Sequence, residues 1–73
     1  MNPDTLRTLR VEAGLSQTEL AAKAGVNASI VSRLESGERV TGSVSTLRAL
    51  AEALADSLDR DLGEIMVALT DPR

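Results

Sequence analysis

The stretch VNASIVSRLES, residues 26–36, turns Asn27, Ala28, Ser29, Ser32 and Arg33 outward if it is helical, and this set is small or hydrogen-bonding apart from one long cation. Catalytic chemistry does not fit it. The chain has no His and no Cys, which removes the usual general base, thiolate nucleophiles, disulfides and imidazole or thiolate metal ligands together. With no nucleophile–base constellation in their place, an enzyme is not expected, and no metal or cofactor is implied. What such a face can do is recognise hydrogen-bonding edges. A smooth helical surface with one guanidinium fits the major groove of double-stranded DNA, about 12 Å wide, where Arg33 can donate to O6 and N7 of guanine and Ala28 or a serine methylene can lie against a thymine methyl. The plainer alternative for Arg33 is a solvated cation paired with an acidic neighbour.

A helix lying in a groove also needs an anchor on the backbone. Ser16 and Gln17 open a preceding helical pattern, and free backbone N–H groups there, at the positive end of the helix dipole, make an anion site that needs no cationic side chain. Arg39, in the glycine-flanked segment ESGERVTGS, is placed either to clamp a phosphate or simply to solvate the loop, and the residues leave both open. Glu52, Asp56, Asp59, Asp61 and Glu64 have the composition of a carboxylate metal site, but helical spacing spreads them around the surface, so a solvated face is the expectation.

Five helical segments position these groups. Asn2 before Pro3 is an N-cap with proline at the first helical position; Leu6, Leu9 and Ala13 make an apolar face and Gly14 ends the segment. Ser16-Gln17-Thr18-Glu19 is a capping box flanked by Leu15 and Leu20 at staple spacing. Gly25 ends the second helix, Asn27 caps the third between Val26 and Val31, and Gly37 closes it. Ala21 is small where the second and third helices must meet. Ser43 or Ser45 can cap a fourth helix with Val44, Leu47, Leu50, Ala51 and Leu54 on one side. Asp61 with Glu64 resembles a further capping box, opening a last helix at about 61–70 that carries Leu62, Ile65, Met66 and Leu69.

A chain of 73 residues reads as one domain, and at that length it buries only about 60% of the surface of its unfolded form. No Phe, Tyr or Trp is present, so the core must be built from Leu, Val, Ile, Ala and Met, which suits closely packed helices. No run approaches the ~20 apolar residues of a membrane span, and a cytoplasmic protein without a membrane role is expected. The net charge of −3 opposes polyanion binding, but its distribution softens the objection: residues 1–48 carry six basic groups against five acidic ones, and residues 49–73 carry two against six. A local basic face can coexist with an acidic whole because fields are largely screened beyond roughly 8 Å at physiological salt.

The segments LRTLRVEAGLSQTELAAKAGVNASIVSRLESGE and STLRALAEAL closely resemble the Cro/C1-type, or XRE-type, helix-turn-helix family, from about Leu6 to Leu54. The resemblance implies a compact, all-α, lambda-repressor-like domain of five helices over residues 1–73, with its helix-turn-helix core at about 16–36 and a recognition helix at 27–36. It also implies that Gln17 contacts a phosphate and buttresses the first recognition residues, that Ala28, Ser29, Ser32 and Arg33 face base edges, and that Arg10 and Glu35 form a buried ion pair. By charge alone Arg10 looks like a phosphate ligand. The sequence departs from the family at Ala28 and Ser29, where many relatives carry long amides or cations, and at Ile30, which either touches a thymine methyl or sugar or packs. The segment ADSLDRD is longer than the usual link between the last helices, implying a lengthened fourth helix or a shifted fifth.

The expected function is that of a sequence-specific transcriptional regulator, a repressor that occludes a promoter by binding a near-palindromic operator as a homodimer. A stripe such as Leu62, Ile65, Met66 and Leu69 is most often core, but in a domain this small one side of the last helix is expected to stay uncovered, and Ile65, Met66 and Leu69, extended by Val67, are the expected two-fold seam. The alternative is a protein-interaction module on the same fold, such as an antitoxin whose partner is a toxin, which the acidic tail and sparse recognition side chains favour.

Overall fold

The computed structural model of the protein describes residues 2–38 and 44–70. These form five helices and no strand: α1 (Pro3–Glu12), α2 (Gln17–Ala24), α3 (Ala28–Glu35), α4 (Val44–Leu58) and α5 (Leu62–Thr70). The expected all-α, five-helix class is therefore met.

The helices start where the local sequence supplies acceptors for otherwise unpaired N–H groups. The Asn2 side chain accepts from the Asp4 and Thr5 N–H groups, with Pro3 first in α1. Ser16 and Glu19 form the complete reciprocal capping box of α2. Asn27 accepts from the Ser29 N–H at the head of α3, and Asp61 accepts from the Glu64 N–H at the head of α5. Ser45 lies inside α4 and does not cap it; Ser43 and Arg39 lie outside the described residues.

Gly25 turns the chain between α2 and α3 with φ +72°, so that the Gly25 and Val26 N–H groups bond back to Ala22 and Ala21 carbonyls. A side chain there would oppose the left-handed backbone. The same paired closure ends α4, but the left-handed residue is Asp59, at φ +53°, with the Asp59 and Arg60 N–H groups bonded to the Asp56 and Ala55 carbonyls. Residues 55–58 of the segment ADSLDRD form the last turn of α4, which runs for 15 residues.

The core draws on every helix: Leu6, Leu20, Val31, Leu50, Leu54, Ile65 and Leu69 are fully buried. Burying each leucine or isoleucine contributes about 1.5–3 kcal/mol. Alanines set the spacing: Ala21 on α2 and Ala51, Ala53 and Ala55 on α4 are buried without holding their neighbours apart. A leucine at position 21 would overpack this junction, at a cost of about 1–3 kcal/mol.

Two expectations about apolar faces are corrected. Val44 is 78% exposed: a side chain at the first helical residue leans back past the helix end, away from the core. Ile65 and Leu69, expected at the surface of α5, have no accessible surface: they face α1 and α4 and complete the core of the protomer itself. Met66 is half-buried against that core, and the large apolar side chain that α5 leaves exposed is Val67.

Candidate nucleic-acid interface

Helix α3 divides lengthwise. Val31 is fully buried and Ala28 and Leu34 pack partly against the core, whereas Ser29, Ser32, Arg33 and Ser36, at helical spacings of three and four, share an exposed face. Ala28 accordingly has one side in the core and only part of its methyl toward solvent. Asn27 is exposed, but its side-chain oxygen accepts from both the N–H and the hydroxyl of Ser29 at 3.0 Å, so the side chain is engaged in the cap and its amide N–H groups remain for a ligand.

The position of α3 is set by a polar network behind it. Arg10 Nε donates to Glu35 Oε2 at 2.6 Å and Nη2 donates to Oε1 at 3.1 Å, with only 14% and 6% of the two side chains exposed. Arg10 Nη1 also donates to the Leu15 carbonyl at 2.8 Å, tying α1 to the approach to α2. The Glu35 hydrogen bonds raise the Arg10 pKa against the opposing effect of burial, so the cation is permanent. Gln17 Nε2 joins by donating to Glu35 Oε1 at 3.3 Å. Gln17 therefore buttresses the end of α3 and not its first residues, which is where the family resemblance had put that contact.

The N-terminus of α2 differs from expectation too. The Ser16 N–H donates to Glu19 Oε1 at 2.9 Å and is not free for an anion. Bonds from the backbone and hydroxyl of Ser16 hold the Glu19 carboxyl below its ordinary pKa, so a negative charge sits at this helix end. Only the Gln17 and Thr18 N–H groups are left without an acceptor within the described residues.

An open cleft between α1 and α3 is lined by Arg7, Arg10, Gln17, Ser32, Glu35 and Ser36. Arg7 and Ser36 were not singled out from the sequence. Ser36 had a local signal, lying one turn beyond Ser32. Arg7 had none, because its significance rests on how the other cations are used. Arg10, Lys23, Arg48 and Arg60 pair with Glu35, Asp56, Glu52 and Glu64. Among the described residues Arg7 and Arg33 are the cations without an ion-pair partner, and both are exposed. The same pairs, with Asp61 at the head of α5, occupy most of the acidic side chains of the tail. The described residues contain no cluster of carboxylates able to hold a metal ion, and no helix long and apolar enough to cross a membrane.

Residues 4–62 match the family described as helix-turn-helix domain. The chain is also similar to the HTH-type transcriptional repressor RghR of Bacillus subtilis (strain 168), with 43% identity over 51 residues that make up 70% of this chain and 38% of that protein. The match thus covers well under half the length of that relative. The matched residues include the paired helices α2 and α3, the turn at Gly25 and the ion pair that holds them, and on this agreement of sequence and architecture the chain belongs to the helix-turn-helix domain family.

Proposed function

We propose that the protein is a sequence-specific DNA-binding regulator of the Cro/C1 type that represses transcription, laying the exposed face of α3 in the major groove as one half of a two-fold dimer. The observation that carries this reading is Arg33: an exposed, unpaired guanidinium on a helix face that is otherwise short and polar, held in place by the Arg10–Glu35–Gln17 network. Arg33 then reads guanine, while Ser29, Ser32 and the outer part of Ala28 lie close to base edges and Asn27 offers amide donors. Gln17, through its second amide N–H and its backbone N–H, meets the sugar–phosphate backbone, and Ser16 acts by fixing the start of α2. The family and the repressor to which the chain is similar support the same reading.

Size argues for the dimer. The protein measures 27 × 25 × 19 Å, less than the roughly 34 Å of one DNA turn, so a second copy is needed to reach the next exposure of the groove on the same face. With Ser29 and Ala28 supplying little readout, a single module falls short of the roughly 10⁻⁸ M affinity of a specific regulator, and two linked half-sites reach it.

Selection of bound fragments from random duplex DNA, with wild type beside Arg33→Ala, tests the proposal. The wild type is expected to enrich a near-palindrome with half-sites one turn apart. Arg33→Ala weakens that site by about 1–3 kcal/mol and relaxes one base position in each half. Equal loss on selected and random DNA would remove the readout role of Arg33, and absence of any enriched site would turn the reading toward a protein-interaction module.

A further inference from the structure

We propose that Arg7 is a phosphate-binding residue that fastens the DNA backbone at the mouth of the cleft between α1 and α3; the inference rests on the DNA-binding reading above. Three helices bring uncommitted donors to this cleft: the Arg7 guanidinium from α1, the Ser32 hydroxyl from the groove face of α3, and the second amide N–H of Gln17 from α2. A phosphate diester, whose two non-bridging oxygens share one negative charge, matches such a set, because guanidinium donors bind it through parallel charge-assisted bonds. The one carboxylate in the cleft does not cancel Arg7, since Glu35 is fully engaged by Arg10 and Gln17. Nor does Arg7 pair with Asp4, one helical turn before it.

The need for this contact follows from the head of α2, where the Glu19 carboxylate takes the Ser16 N–H and weakens the helix end as an anion site. In a chain of net charge −3, a local cation beside the reading face supplies the charge that the neutral donors of Gln17 lack. Arg7 is the unpaired cation whose side chain borders the same cleft as Ser32. It contacts backbone and not bases, so its contribution is indifferent to sequence.

The test uses the full chain with Arg7→Ala, Arg7→Gln and Arg7→Lys, titrated against a duplex carrying the selected site and a random duplex of the same length over a salt series. Arg7→Ala and Arg7→Gln are expected to weaken both duplexes by the same factor and to lower the log–log salt slope by about 0.9 per bound copy, about 1.8 for the dimer; raising salt from about 50 to 200 mM then costs the wild-type dimer about 12-fold more affinity than either variant. Arg7→Lys keeps the slope. A scan with single uncharged methylphosphonates identifies a phosphate whose neutralisation weakens wild type by a larger factor than it weakens Arg7→Gln. An unaltered slope in both variants, identical phosphate scans, or loss confined to the selected site would overturn the proposal while leaving the function intact. Failure of the wild type to bind either duplex would instead overturn the DNA-binding reading.

Discussion

Arg10 ties three helices with one guanidinium, through Glu35 on α3, the Leu15 carbonyl ahead of α2, and Gln17 by way of the shared carboxylate. Its removal strands Glu35, whose side chain is 6% exposed, as a buried unpaired charge. Arg10→Ala is expected to lose roughly 3–5 kcal/mol, read by thermal melting, before any loss of recognition. A variant that melts like wild type but no longer binds DNA would reassign Arg10 to the backbone. The pair itself was legible only through family resemblance, because residue type alone makes Arg10 a phosphate ligand. Arg7 shows the opposite limit. Which of several similar cations is free depends on partners contributed by other helices, as when Lys23 meets Asp56 from 33 residues away, and local spacing carries no such information. The exposed face of α3 was legible, since its helical period and its two flanking glycines lie within a dozen residues.

Helix boundaries were readable wherever a cap is a local hydrogen bond, as at Asn2, Ser16 and Asn27. They were not at Asp59, whose left-handed backbone is imposed by the Schellman-type closure of α4 rather than announced by a glycine. Asp59 puts a negative side chain at the negative end of a helix in a conformation that L-residues resist. Asp59→Gly is therefore expected to stabilise the protein by about 0.5–1 kcal/mol, a rise of a few degrees in Tm. An unchanged or lower Tm would mean that the unfolded-state entropy of glycine outweighs the relief. At the other end of such a helix the charge works in the helix's favour. Because the Glu19 pKa is lowered on folding, its stabilising contribution is present above the ordinary glutamate value and is lost as the pH falls through the lowered one. Asp56, lowered by Lys23, acts in the same direction. Melting temperature should hold from pH 7 to about pH 5 and fall below about pH 4, with a shallower fall in Glu19→Gln. Identical acid limbs for the two proteins would assign the transition to other carboxylates.

At the scale of the whole molecule, five helices were foreseen but the direction of the last one's apolar stripe was not. A run with Ile65, Met66 and Leu69 at helical spacing reads equally well as core or as a two-fold contact, and the choice depends on how much surface α1 and α4 leave uncovered. They leave none for Ile65 and Leu69, so a charge at either residue attacks the fold, whereas Val67, 69% exposed on the same helix, offers a place to disturb assembly alone. The proposed dimer contact on α5 thereby shifts to Val67 with the accessible part of Met66. Val67→Glu is expected to keep the helical circular dichroism and melting of wild type, to run as a monomer in solution at concentrations where wild type is dimeric, and to lose most affinity for a palindromic site while retaining that for a single half-site. Ile65→Glu should instead lose helicity, because burying a carboxylate at a fully enclosed position costs more than a domain of this size can offset. A folded Val67→Glu that remains dimeric would move the contact to another exposed apolar residue, of which Val11 on α1, 62% exposed, is the next to charge. A wild type that binds its preferred duplex as a monomer would overturn the dimer, and with it the argument that linked half-sites supply the missing affinity.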